Sequence, residues 1–265
     1  MIANYHTHTY RCHHASGDER EYIERAIANG IKYMGFSDHI PFAFPDGRES
    51  SYRVPMAERF EYIETLSKLR EEYKDSIDIK IGFEAEYFPL YFKEMLDIAK
   101  DCGAEYLILG QHFINSYDCM DKNFSAGRSS SVEKLDTYVS EVCEGMRTGA
   151  FSYVAHSDVL NFSGDSEVYL EKMKRICETS LETDVPLEIN FLGIRDGRAY
   201  PRWDFWKMAG EMGCKVVYGF DAHDVAAAFD GESLKVAERK KEELGLKVVE
   251  LPKIIDIRKF STEKA

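Results

Sequence analysis

Basic residues are in short supply: Lys and Arg number 34 against 47 Asp and Glu, leaving a formal net charge of −13 at pH 7. That shortage excludes a binder of nucleic-acid phosphate backbones, which needs clustered Lys and Arg. No apolar run approaches the ~18 residues of a transmembrane helix, and so no membrane partner is expected. The start Met1-Ile2-Ala3-Asn4-Tyr5-His6 leaves no room for a signal peptide, so a cytoplasmic location is expected. The six cysteines (Cys12, Cys102, Cys119, Cys143, Cys177, Cys214) contain no C-x-x-C pair, which argues for reduced thiols rather than a thiol-rich zinc site. Cys12 stands apart because it lies among histidines. There is no Pro/Gly/Ser linker, long-period repeat or low-complexity tract. A length of 265 residues suits one large α/β domain or two small ones.

Histidine is scarce too, with eight in the chain, and its distribution is the most informative feature. His6, His8, His14, His39, His112, His156 and His223 follow or interrupt short apolar runs along the whole chain. Imidazole is the commonest protein ligand for transition metals, and a barrel gathers ligands from separate strand ends into one place.

The apolar runs alternate with helical stripes. Strands are expected at 2–5, 32–36, 77–83, 106–109, 151–155, 187–190 and 215–218. Helices are expected at 19–29, 56–73, 91–100, around 132–146, and at 168–181, 203–212 and 232–244, with 247–251 as a tail. Seven strand-then-helix units predict a parallel sheet, because parallel strands need helical crossovers. The pattern alone leaves a closed barrel and an open doubly wound sheet as options. Candidate ligands at nearly every strand end favour a barrel of about seven strands, since an open sheet concentrates ligands at one switch point.

Strand by strand, the ends read His6-Thr7-His8, Ser37-Asp38-His39, Phe83-Glu84-Ala85-Glu86, Gly110-Gln111-His112, Ala155-His156-Ser157-Asp158, Asn190, and Asp221-Ala222-His223. A carboxylate amid imidazoles, such as Glu84, can bridge two metals and neutralise their charge. Together these motifs resemble the polymerase-and-histidinol-phosphatase (PHP) family. The stretches Arg11-Cys12-His13-His14-Ala15-Ser16-Gly17 and Glu188-Ile189-Asn190-Phe191-Leu192-Gly193-Ile194-Arg195, followed by Tyr200-Pro201, resemble its histidinol-phosphatase branch. The likeness runs from residue 4 to about residue 224.

The resemblance implies a single domain over residues 1–265, a distorted TIM-like (β/α)7 barrel with three divalent ions (Zn, Mn or Fe) at its C-terminal rim. It implies that His6, His8, Glu84 and Asp221 hold the first ion. Glu84 would bridge to a second on His112 and His156, and His14, His39 and His223 would hold the third. His13 is the alternative to His14, because a one-residue shift of the loop exchanges them. Arg195 occupies the family's position for a phosphate-contacting arginine, with Arg198 as a second candidate. Glu86 would stand behind the ligands or face the substrate, Asp38 could orient His39 through its other nitrogen, and Asp46, Glu49 or an aromatic could recognise the substrate.

The activity implied is hydrolysis of L-histidinol phosphate by metal-activated hydroxide, in histidine biosynthesis. A phosphoesterase of the same family acting on a nucleotide, sugar phosphate or phosphotyrosine uses the same ligands and is the alternative. A non-catalytic or proofreading module of a DNA polymerase predicts a longer chain, lost ligands or a basic groove. The sequence carries no signal for an oligomeric state.

Overall fold

In a computed structural model, residues 1–117 and 121–260 are described. Cys119 lies outside them; the other five cysteines are free and buried. Eight parallel strands run in chain order: β1 (Ala3–Asn4), β2 (Tyr33–His39), β3 (Asp78–Ala85), β4 (Tyr106–Leu109), β5 (Phe151–Val154), β6 (Leu187–Asn190), β7 (Lys215–Gly219) and β8 (Lys247–Val248). Helices cover the sheet: α1 (Glu19–Ala28), α2 (Arg59–Tyr73), α3 (Phe92–Cys102), α4 (Val132–Thr148), α5 (Ser166–Thr183), the short α6 (Phe191–Arg195), α7 (Trp203–Met212) and α8 (Gly231–Leu244). Among the described residues no helix is long and apolar enough to cross a membrane.

The sheet curls until its first and seventh strands meet at the C-terminal rim. There Thr7 bridges Ala222 in parallel, His8 N–H donates to the Ala222 carbonyl at 2.9 Å, and Phe220 N–H donates to Asn4 Oδ1 at 3.0 Å. At the opposite end β7 pairs instead with β8, so the expected tail supplies a short eighth strand.

Alternation along the strands sorts the residues into two layers. Met34, Phe36, Ile81, Phe83, Leu187 and Ile189 face outward into the core beneath the helices. Ala3, Tyr5, Tyr106, Ile108, Tyr153, Ala155 and Val217 fill the barrel interior. The Tyr106 hydroxyl donates to the Tyr5 and Phe36 carbonyls, at 2.8 and 3.1 Å, tying the first two strands together below the rim.

Two strands run further than their apolar runs suggest. The second continues through Ser37-Asp38-His39 and the third through Glu84-Ala85, with His39 in register with Glu84. These polar ends stay extended because they are buried against one another rather than turned to water.

Candidate metal centre

Above the tyrosine-filled interior, five imidazoles converge on Glu84, and those of His14 and His223 lie beside them. The carboxylate is buried and divides them: Oε1 lies 2.8 Å from His156 Nε2 and 3.5 Å from His112 Nε2. Oε2 lies 3.4 Å from each of His6 Nε2, His8 Nε2 and His39 Nδ1. Asp221 Oδ1 sits 3.4 Å from His6 Nε2 and 3.2 Å from His8 Nε2. His14 Nε2 and His223 Nε2 stand 3.0 Å apart. The fold therefore places His14 against His223 and leaves His13 on the cleft wall at φ 63°.

The tautomers follow from the partners, since neutral imidazole carries one donor and one acceptor. His14 Nδ1–H donates to the Cys12 carbonyl at 2.6 Å, and His223 Nδ1–H to the Asp221 carbonyl at 3.1 Å. Both Nε2 atoms then present lone pairs to each other. His6 Nδ1–H donates to Glu188 at 2.9 Å, so His6 Nε2 turns a lone pair toward Glu84 and Asp221. The buried atoms His6 Nε2, both His8 ring nitrogens, His39 Nδ1, Glu84 Oε2 and Asp221 Oδ1 have no hydrogen-bond partner among the described residues. Buried acceptors facing acceptors are costly unless a cation sits among them. Residues from this cluster form several groups whose donor atoms lie within 4.8 Å of one another, including His6–His8–Asp221, His6–Glu84–His156 and His8–His39–His223. The donor set of imidazole and carboxylate fits divalent transition metals.

The electrostatics point the same way. Burial alone would depress His6, but Glu188, Asp221 and Glu84 hold its pKa well above the ordinary value. Burial would raise Glu84, yet His112, His6 and His156 keep it well below the carboxylate range. Burial and the neighbouring His8 push His223 down to about 3. The carboxylates thus hold a proton on His6 that a metal would displace, freeing its Nε2 lone pair, whereas His223 is already neutral.

The supporting residues only partly match expectation. Asp38 does not orient His39. It lies on the opposite face of β2, where it accepts the Thr9 N–H at 2.8 Å and stands 3.4 Å from His8 Nδ1. Glu86 is buried behind His112, paired with Arg53 Nη2 at 2.7 Å and 3.4 Å from His112 Nδ1. Asp46 and Glu49 do not face the cleft: they accept backbone N–H groups of Arg48 and Met56 within their own exposed loop. That loop instead brings Tyr52 in, with its ring stacked on Phe113 and edge-on to His39.

Glu188 received no role from the sequence. It is fully buried, binds His6 Nδ1, and accepts from His156 N–H at 3.3 Å and Asn190 Nδ2 at 2.8 Å. The signal lay in Leu187-Glu188-Ile189-Asn190, where alternation turns both polar residues inward. Gly219 on the next strand makes room, because a Cβ there would lie 2.1 Å from Glu188 Oε2. Replacing Glu188 by Gln keeps the shape and removes the charge that anchors His6. Metal affinity is expected to fall about 10–100-fold, as competition with a chelator would measure; unchanged affinity would rule out the anchoring role.

Behind His112, Gln111 is clamped by the backbone of residues 87 and 113 and by Glu141 on α4, to which its Nε2 donates at 2.9 Å. Burial pushes the Glu141 carboxyl up to about 7, against the donors Asn115 N–H and Gln111. Its folded value lies above the ordinary one, so its contribution to stability is fully present below the ordinary carboxylate range and lost as pH rises through about 7. Glu141→Gln should flatten that slope. Denaturant titrations at about pH 5 and 8 should show the wild type losing up to about 3 kcal/mol relative to the variant.

A cleft of about 930 Å³ opens over the cluster, lined by His13, Tyr52, Phe113, Phe124, Arg195, Arg198, Tyr200 and Asp224 among others. Arg195 Nη1 donates to Asp230 at 3.0 Å, and Arg198 pairs with Asp196 at 2.9 Å. Asn190 joins this wall to the cluster: its Nδ2 donates to Asp221 Oδ2, and its Oδ1 caps α6, which carries Arg195.

The sequence signature of the PHP domain matches residues 4–191. A histidinol-phosphatase of Bacillus subtilis is 26% identical over 259 residues, covering 85% of this chain and 96% of its own. A Deinococcus radiodurans protein named a "Probable histidinol-phosphatase" is 26% identical over 230 residues, 84% of this chain and 86% of that one. Among solved structures, a histidinol phosphate phosphatase of Lactococcus lactis, complexed with zinc, L-histidinol and phosphate, superposes with a TM-score of 0.73. It covers 98% of both chains at 20% identity and shares the fold.

Proposed function

Because the chain belongs to the PHP domain family, we propose that it is a single-domain, metal-dependent phosphatase that hydrolyses L-histidinol phosphate to L-histidinol and phosphate. The observation that carries this reading is the convergence of buried, unpartnered imidazole and carboxylate lone pairs on Glu84 beneath an open cleft. The names of the relatives support the choice of substrate.

His6, His8, Glu84 and Asp221 would hold one divalent ion, Glu84 with His112 and His156 a second, and His14, His39 and His223 a third, as Zn, Mn or Fe. Such ions supply Lewis acidity toward the phosphoryl oxygens and hydroxide near neutral pH. The chain's own residues do the rest. Glu84 turns one oxygen to each side of the cluster, tying two ligand groups to a single carboxylate. Glu188 and Glu86 fix the His6 and His112 rings from behind. Arg195 and Arg198 line one wall, where planar guanidinium groups suit the oxygens of a phosphate dianion. Tyr52, Phe113 and Phe124 give another part of that wall flat apolar faces, suited to the imidazole of the leaving alcohol.

The test is phosphate release by metal-reconstituted protein, with L-histidinol phosphate set against nucleotides, sugar phosphates and phosphotyrosine. A kcat/KM at least ~100-fold above every competitor, about 2.7 kcal/mol of discrimination, is expected. Equal or better turnover of another ester would move the substrate within the family's phosphoesterases.

A further inference from the structure

Cys12 is completely buried in the middle of the loop between β1 and α1 and has no part in the ligand sets above. Its Sγ lies in one group with a ring nitrogen of His14 and one of His223, all within 4.8 Å of each other. A second such group joins it to His8 and Asp38. Tetrahedral coordination with metal–nitrogen bonds of about 2.0 Å and metal–sulfur bonds of about 2.3 Å has ligand–ligand edges of roughly 3.3–3.6 Å. The 3.0 Å between the Nε2 atoms of His14 and His223 is close to such an edge, and both atoms present lone pairs. A second observation comes from His8. It is fully buried, stacks on His223 at 4.1 Å between ring centroids, and has neither ring nitrogen hydrogen-bonded among the described residues.

Charge makes the case for sulfur. His14, His39 and His223 are neutral donors, and the oxygens that Glu84 turns to His39 and Asp221 turns to His223, at 3.4 and 3.3 Å, are each shared with His6 and His8. A divalent ion at the His14–His223 end would have no anion of its own unless one joined it, and Cys12 Sγ is within 4.8 Å of a donor atom on both rings.

We propose that the Cys12 thiolate is a donor to the ion held by His14 and His223. This rests on the reading of the histidine cluster as a metal centre. The thiol would release its proton on metal binding, as ligating cysteines do. A soft thiolate in this position favours zinc, iron or cobalt over manganese and magnesium, so this end of the cluster would set the class of metal accepted.

The probe is Co²⁺ loaded into the full-length, metal-stripped protein and followed by absorption. The expected result is a near-ultraviolet thiolate-to-cobalt charge-transfer band that is lost in Cys12→Ser and kept in Cys102→Ser. Zn²⁺ retention against a chelator should weaken at least tenfold for one equivalent in Cys12→Ser, with Mn²⁺ retention changed less than twofold. Cys12→Ala serves if the serine variant fails to fold, and the wild-type spectrum needs no variant. Visible cobalt bands without the charge-transfer band, or a band that survives in Cys12→Ser, would overturn the thiolate donor and leave the metal centre standing. No uptake of Co²⁺ would overturn both.

Discussion

Replacing Glu84 by Gln is expected to remove metal and activity together, with kcat/KM down at least about 1000-fold, or ~4 kcal/mol of lost transition-state stabilisation. The size follows from position. Glu84 is within 3.5 Å of ring nitrogens on His6, His8, His39, His112 and His156, so its two oxygens serve both sides of the cluster. An amide keeps one acceptor and turns an N–H₂ donor toward the other side. It also removes the negative charge that balances several imidazoles and any divalent ion. Metal content and phosphate release should be measured on the same preparation. A Glu84→Gln protein with full metal and near-normal kcat would refute the shared-carboxylate reading.

Much of this site is legible in residue order because strand ends are where a barrel collects side chains, and nearly every end carries a histidine or carboxylate. His6-Thr7-His8 and Asp221-Ala222-His223 were visible as motifs. What resisted reading was orientation. Asp38 adjoins His39 in sequence, but alternation in a strand that runs on through His39 sends it to the other face, toward His8. The apolar runs stop at Phe36 and Phe83, short of the strand ends, because hydrophobicity marks a strand only where apolar partners bury it. Here polar residues bury one another. Glu188 carries no legible role in its motif, since nothing local says that residue 188 meets residue 6 across the barrel. The Lys247–Val248 strand hides within an expected tail because two residues carry no periodicity.

Gly110→Ala is expected to disable the centre without removing any side chain from it. A Cβ at Gly110 would lie 1.9 Å from Glu84 Oε1, 2.6 Å from its Cδ and 2.7 Å from its Cγ. The glycine is needed for this close approach and not for its backbone angles, because its φ lies outside the left-handed region. Alanine therefore asks nothing unusual of the chain and puts all the strain on the carboxylate. Glu84 has little room to yield, with imidazoles on both oxygens and β3 holding its backbone in register with His39 and Ile108. The methyl should displace Oε1 from His156 and His112, and activity should fall by about 100-fold or more, as a misplacement of about 1 Å at a reacting centre can cause. Stability separates this cause from a general packing defect. The single variant should lose on the order of 1–3 kcal/mol, the usual cost of overpacking. In a Glu84→Ala background the same change should cost close to nothing, because the atoms it meets are gone. A double-mutant cycle from chemical denaturation reads the difference as a coupling energy. Equal losses in both backgrounds would mean that Gly110 serves the loop to His112 and not the carboxylate beside it.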